Sequence, residues 1–490
     1  MTARPPLNSP AIDSAALLDT VARHWDAEIT PRLIDYIRVP AKSPHFDPDW
    51  VANGYIDSVV RSAESWVRAQ QVPGITLEAI RLGDRTPVLF FDIPATGGLD
   101  PSRTVLLYGH LDKQPEMTGW SKGKGPWIPV IEDDKLYGRG GADDGYAVYA
   151  ALSAILALDA QGVARPRCIG LIETCEESGS YDLPAYLDAL STRMGDVQLV
   201  VALDSGCGNY DQMWATTSLR GLVNGTLEVR VLDEGVHSGD AGGVVPSSFR
   251  IARQLLDRID DSRTGVVRSK TFESAIPQER IDQAQQASTI LGDMVWQRFP
   301  WACGDHGSDP QAMVQPVTKD PVEVILNRTW RAALAVTGAD GLPPIASAGN
   351  VQRPFTSLKL SLRLPPPVDG PRAADEMKRL LESDPPYNAV VRFDADSAAT
   401  GWNAPTAQPW LSSALEEASS TYFGKSLAYI GEGGTIPFMG MLGVKFPKAQ
   451  MLVTGVLGPR SNAHGPNEFL HLPYAKKLTA AVASVLAAVR

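Results

Sequence analysis

Four stretches of this chain are continuous apolar runs, and each gives way at once to histidine or to acid. TVLLY (104–108) leads into His110 and Asp112 of GHLD, and CIGLI (168–172) into the adjacent Glu176 and Glu177 of ETCEESGS. VQLVVAL (197–203) is followed by Asp204, and AQMLVTGV (449–456) by a loop that holds His464, LGPRSNAHGPNEF. Runs this apolar suit strands covered on both faces, as in a helix-flanked, largely parallel sheet. In open sheets of that kind ligands bind beyond the carboxyl ends of the strands. Any one of these polar residues has an ordinary explanation as a cap or a surface charge; their recurrence at the end of every run does not.

A fifth segment, YGRGGADDGYAVYAALSAILAL (137–158), is a Gly-rich turn opening a helix, with Asp143 and Asp144 expected at the helix start. GRGG after a strand also invites a dinucleotide reading. The third glycine of that fingerprint is here Asp143, whose charge repels a pyrophosphate.

The length of 490 residues predicts two domains. Asp plus Glu exceed Lys plus Arg by 56 to 45, with no basic cluster, which argues against nucleic acid or an anionic membrane as partner. No apolar stretch is long enough to cross a bilayer, and the first twenty residues lack the apolar core of a secretion signal. Cys168, Cys175, Cys207 and Cys303 show no CxxC spacing and read as free thiols, and the chain is expected in the cytoplasm.

Two imidazoles with several carboxylates form a nitrogen/oxygen ligand set suited to Zn²⁺ or Mn²⁺. Four neighbouring acids need about two divalent cations to balance them, and a carboxylate can bridge such a pair. Metals so placed share a water, lower its pKa and polarise a carbonyl. A base must still move the proton, so one glutamate of the Glu176–Glu177 pair can bind metal while its neighbour carries the proton. Asp112, two residues after His110, is placed to accept the second imidazole N–H.

In these residues the chain resembles the aminoacylase, carboxypeptidase and carnosinase family of two-metal exopeptidases. The motifs HLD, GRGGADDG, CEESG, ALDSG, HSG and NAHGPNE occur in that family's order over 107–470. HSGDAGG, SLRLPP and GEGGTIPF are most similar to the carnosinase and cytosolic nonspecific dipeptidase branch. The resemblance implies that His110 and Asp204 bind one metal, Glu177 and His464 the other, and that Asp143 bridges them. It makes Glu176 the general base, with Asp112 orienting His110. It implies that His237 reaches the partner subunit's active site in a homodimer and steadies the oxyanion. It assigns Arg363, Asn350, Gly434 and Thr435 to substrate. The implied activity is that of a dipeptidase acting on dipeptides with a free C-terminal carboxylate; a deacylase or carbamoyl amidohydrolase shares the metal shell. A non-catalytic binding protein is disfavoured, because a proton-carrying Glu176 serves no purpose in one. DDGYA lacks the lysine common after the bridging acid, and Cys175 stands where an acid is often found.

Residues 219–396 change texture. TLEVRVL, LKLSLRL and VVRFDAD alternate apolar with polar residues, as half-exposed antiparallel strands do, and a helix over 246–259 is expected to turn Phe249, Ala252, Leu255, Leu256 and Ile259 inward. The organisation expected is an α/β catalytic domain from 1–218 and 397–490 with an inserted α+β lid and dimerisation domain. The stretch 264–347 matches no motif. His24, His45, His306 and His471 lie outside the motifs and read as surface or packing residues, with a substrate-loop role the second reading for His306.

Overall fold

Successive side chains of a strand point to opposite sides, so a strand buried at every residue is covered on both faces. Arg103–His110 is buried along its length apart from its first residue, and Arg167–Glu173 likewise. A computed structural model, which describes residues 9–303, 313–434 and 437–489, sets them in a six-stranded sheet. The spatial order is Thr76–Ile80, Val88–Ile93, Arg167–Glu173, Arg103–His110, Asp196–Ala202 and Gln450–Val453. Val88–Ile93 runs against both neighbours, and the remaining pairs are parallel. His110 lies level with Glu173, and Tyr108 and Val453 each lie level with Ala202, so the carboxyl ends of four strands open on the same side.

The helix Ala147–Ala160 packs against Arg103–His110 and the long helix Leu472–Ala488. It is buried on nearly every side rather than along one stripe. Asp143 and Asp144 are not in it. Their φ values of −130° and −127° are non-helical, and the turn before them bends through Gly140 at φ 82°. A Cβ on Gly140 would fall 2.8 Å from the Lys113 side chain, so glycine is needed there on both counts.

The chain divides into two units. The first comprises Met1–Thr216, Ala404–Ile430 and Met441–Arg490; the second comprises Thr217–Asn403 and Gly431–Gly440. The second unit is therefore wider than 219–396, because Trp402–Asn403 pairs with Leu219 and Ser218 and ties the two ends of the insert together. Its four-stranded antiparallel sheet runs Ala333–Asp340, Phe355–Leu364, Gly221–Arg230, Val390–Ala399. Gly221–Arg230 alternates buried and half-buried at every step. The buried set, including Val223, Leu227, Leu360 and Leu362, packs under Ile251, Leu255, Met377 and Leu381 of two helices. The first of those helices spans Ser248–Leu256 and is capped by the Ser247 hydroxyl, which accepts the Arg250 N–H; it does not start at Pro246. Phe249 is exposed, whereas Ile251, Ala252 and Leu255 face in.

Among the described residues no helix is long and apolar enough to cross a membrane. Leu360 is fully buried in the second unit's core. Leu360→Ala should destabilise that unit by about 2–5 kcal/mol, read as a lowered denaturant midpoint; a loss below about half a kcal/mol in the same measurement would contradict the packing described.

Candidate active site

Each parallel strand delivers its polar residue at the same end of the sheet. His110 closes its strand, Glu176 and Glu177 form a single 3₁₀ turn shortly after Glu173, and Asp204 follows Ala202. The result is a ring of ligand-type atoms. His110 Nε2 lies 3.5 Å from Asp143 Oδ1, 3.8 Å from Asp204 Oδ2 and 4.0 Å from Glu176 Oε2. His464 Nε2 lies 3.0 Å from Asp143 Oδ2 and 3.3 Å from Glu177 Oε2. Asp143 thus turns one oxygen to each histidine. Two sets, His110–Glu176–Asp204 and His110–Asp143–Glu177, have ligand atoms all within 4.8 Å of one another.

The fit to a cation shows in His110. Its Nδ1 is 3.1 Å from the Asp112 carbonyl oxygen, which can only accept, so Nδ1 carries a hydrogen and Nε2 is the nitrogen left to offer a lone pair to a cation. Without a cation, burial is outweighed by Asp112, Asp143 and Asp204, which raise His110 well above the ordinary imidazole value. Nε2 is buried with no hydrogen-bond partner. A buried acceptor among acids suits a metal ion. The Asp112 carboxylate, 3.5 Å from Nδ1, is engaged elsewhere, its two oxygens accepting the backbone N–H groups of Glu176 (3.2 Å) and Glu177 (3.0 Å). Gln114, which has no signal in the sequence, donates to Glu177 Oε2 at 2.6 Å.

His464 sits in a loop where Arg460, Asn462, His464 and Asn467 all take positive φ, uncommon for residues other than glycine. Arg139, from the Gly-rich turn, holds that loop. Its Nη2 donates to the carbonyls of His464 (3.0 Å) and Gly465 (2.9 Å), and its Nη1 to Glu468 at 2.6 Å. Glu468 in turn accepts the Gly140 N–H at 2.9 Å. Arg139 and Glu468 are both buried, so the pair locks the turn carrying Asp143 to the loop carrying His464. Both residues stand inside motifs, GRGG and NEF, yet only the fold shows that they meet.

Burial and the neighbouring Asp143 charge push the Glu177 carboxyl up to about 8; burial raises Asp204 to about 7, with Asp143 adding to the rise and His110 opposing it. Burial and then the Asp204 charge hold Glu176 well above the carboxylate range. Asp143 goes the other way: burial would raise it, but the nearby His110 and His464 outweigh that and lower it.

The remaining sequence-predicted residues belong to the second unit. His237 is exposed, and its Nδ1 accepts the Gly239 N–H at 3.1 Å. Asn350 lies beside it, its carbonyl accepting the Ser238 N–H at 3.0 Å, and Val351 pairs with His237. Arg363 is half-buried near the end of Phe355–Leu364, and Gly434 is exposed; Thr435 and His306 lie outside the described residues. Of the off-motif histidines, His24 stacks on Trp66, His471 caps the last helix and stacks on Tyr210, and His45 is exposed, its backbone N–H donating to Ser178. Cys168, Cys175 and Cys207 are buried free thiols and Cys303 an exposed one.

The model of peptidase family M20/M25/M40 matches residues 106–488. The chain is 25% identical over 377 residues to the cysteinylglycine-S-conjugate dipeptidase of Corynebacterium striatum, covering 74% of this chain and 76% of that protein. It is 25% identical over 367 residues to the human beta-Ala-His dipeptidase, covering 73% and 69%. Among solved structures it shares its fold with the di-peptidase Dug1p of Saccharomyces cerevisiae (TM-score 0.75, 19% identity, 97% and 98% covered). Human carnosine dipeptidase 1 is equally similar (TM-score 0.75, 20% identity, 98% and 99% covered).

Carboxyls with raised pKa values hold protons below those values, and a cation must displace them. Metal uptake by the metal-free protein should therefore release protons at about pH 7 and tighten as pH rises from about 6 to 8, as Asp204 (about 7) and Glu177 (about 8) ionise. Calorimetry in buffers of different ionisation enthalpy measures both effects. Uptake without proton release and without pH dependence over that range would contradict the electrostatics of the ring.

Proposed function

The chain belongs to peptidase family M20/M25/M40, and from that premise we propose that it is a two-metal exopeptidase hydrolysing dipeptides with a free C-terminal carboxylate. The observation that carries the reading is Asp143, with one oxygen toward His110 (3.5 Å) and the other toward His464 (3.0 Å). A carboxylate placed in that way is the natural bridge between two cations. His110 and Asp204 would hold one, Glu177 and His464 the other; Zn²⁺ is the first choice for this donor set and Mn²⁺ the second. Bound there, the pair supplies an acidified water and a polarised scissile carbonyl. The relatives named as dipeptidases support the substrate class.

Glu176 is the proton carrier in this reading. Its carboxyl sits 4.0 Å from His110 Nε2 and groups with His110 and Asp204. Burial and the Asp204 charge raise its proton affinity, which suits a carboxylate that takes a proton from water and returns it to the leaving nitrogen. Asp112 fixes Glu176 and Glu177 by their backbone and His110 by its Nδ1 side. We assign the oxyanion contact to His237, acting across a homodimer formed through the second unit, and substrate contacts to Asn350, Arg363, Gly434 and Thr435. Arg363 is the fork for the terminal carboxylate. The four free cysteines fit a cytoplasmic location.

Glu176→Gln should lower turnover by about 10²–10⁴-fold or more while metal content stays near two per chain. Elemental analysis of that variant beside its kinetics tests the assignment, and loss of both metals would remove it. Free dipeptides and N-acylated amino acids, offered to the wild type as one panel, test the substrate. Cleavage of the acylated compounds alone would replace the dipeptidase reading by a deacylase.

A further inference from the structure

Around Gly433 the second unit gathers arginines that the reading above uses only in part. Arg220 is buried; its Nε–H donates to the Gly433 carbonyl at 3.1 Å and its Nη1–H to the Arg331 carbonyl at 3.4 Å. Arg328 comes from the last turn of the helix Pro321–Thr329. A Cβ built on Gly433 would lie 3.2 Å from both Arg220 Nη2 and Arg328 Cγ, so two arginines flank one glycine. Arg363 enters the same corner through the sheet. It pairs with Leu222, two residues from Arg220, and with Ala333, two residues from Arg331.

These arginines are committed to different degrees. Arg331 is tied to Glu323 and Asn327, each at 2.7 Å. The Arg328 guanidinium makes no ion pair or hydrogen bond among the described residues. The acids of the corner are Glu323, engaged by Arg331, and Glu432, whose charge acts on Arg298. Burial first, then the charges of Arg363 and Arg328, bring the Arg220 guanidinium down to about 10. Like charges held this close repel, and an anion among them relieves the repulsion.

We infer that Arg220, Arg328 and Arg363 form one anion site able to balance two carboxylates, so that the preferred substrates are dipeptides whose C-terminal residue is aspartate or glutamate. The inference rests on Arg363 holding the substrate's terminal carboxylate, as proposed above. One guanidinium fork matches one carboxylate. A second carboxylate needs a second fork, and Arg328 has one that no described residue engages. Arg220, held by the Gly433 and Arg331 carbonyls, adds positive potential.

Ala-Glu and Ala-Gln are nearly equal in size and differ by one charge. Their binding to the full-length Glu176→Gln protein, loaded with Zn²⁺, can be measured by calorimetry without turnover. Ala-Glu should bind about tenfold more tightly, the contribution of one charge-assisted fork, and Arg328→Gln in the same background should bring the two within about twofold. Ala-Gln should bind both proteins alike. Arg328→Ala removes the same fork in a second way and should act in the same direction. Equal affinities before the arginine is changed, or a preference that survives both substitutions, would overturn the inference. Wild-type turnover of Ala-Ala and Ala-Glu separates this result from the function itself. If no dipeptide is cleaved while an Arg328-dependent preference persists, the dipeptidase reading falls and the anion site stands.

Discussion

Everything at this site depends on placing a carboxylate, Asp143, between two imidazoles while three more carboxylates crowd the same few ångströms. Left to themselves Glu176, Glu177 and Asp204 repel one another, and burial makes their charges still more costly. Such a cluster survives folding by keeping protons or by accepting cations. Protons answer the charge at the cost of the ligand atoms they occupy, and His110 Nε2 is buried without a hydrogen-bond partner. Cations answer both, and two are needed because the histidines approach Asp143 from different oxygens.

The scaffold supplies this geometry by two means. Three parallel strands set His110, the Glu176–Glu177 turn and Asp204 at one edge, where a shift of register would move each ligand by a whole strand step. The fourth contribution, His464, comes from a loop with no such ladder to hold it. Its backbone conformation is unfavourable, and the buried Arg139–Glu468 pair is what secures it. Breaking a buried pair by removing one partner strands a charge. The loop is thus fixed by a contact whose loss destabilises both ends at once.

The candidate site residues are legible in the sequence because apolar runs ending in acid or histidine are conspicuous, and the fold brings His110, Asp143, Glu176, Glu177, Asp204 and His464 together. Less legible is whatever depends on partners distant in the chain. Asp112 reads as support for His110, yet its carboxylate commits both oxygens to the backbone of residues 176 and 177. Arg139 and Glu468 lie 329 residues apart, and nothing in their local pattern says that they touch. Local reading also errs where two starts compete. Pro246 suggests the first turn of a helix, but the Ser247 hydroxyl caps it, so that the helix begins two residues later, and Phe249 then points outward. Residues 431–440 belong to the second unit although an element of the first precedes them, a crossing that periodicity does not reveal.

The adjacency of Glu176 and Glu177 follows from the same use of backbone. In a strand, neighbouring side chains would leave on opposite faces and only one could reach the ring. The 3₁₀ turn over Glu176–Ser178 brings both to the same end of the sheet, and Asp112 accepts both of their N–H groups, one on each oxygen. From that common anchor the side chains diverge. Glu176 goes toward His110 and Asp204, and Glu177 toward His464, with Gln114 donating to the latter's carboxylate. A single glutamate could serve one histidine or the other. Two on one turn put one carboxylate beside Asp204 and the other beside His464, and the first, whose carboxyl burial and the Asp204 charge raise, is the one proposed to carry a proton.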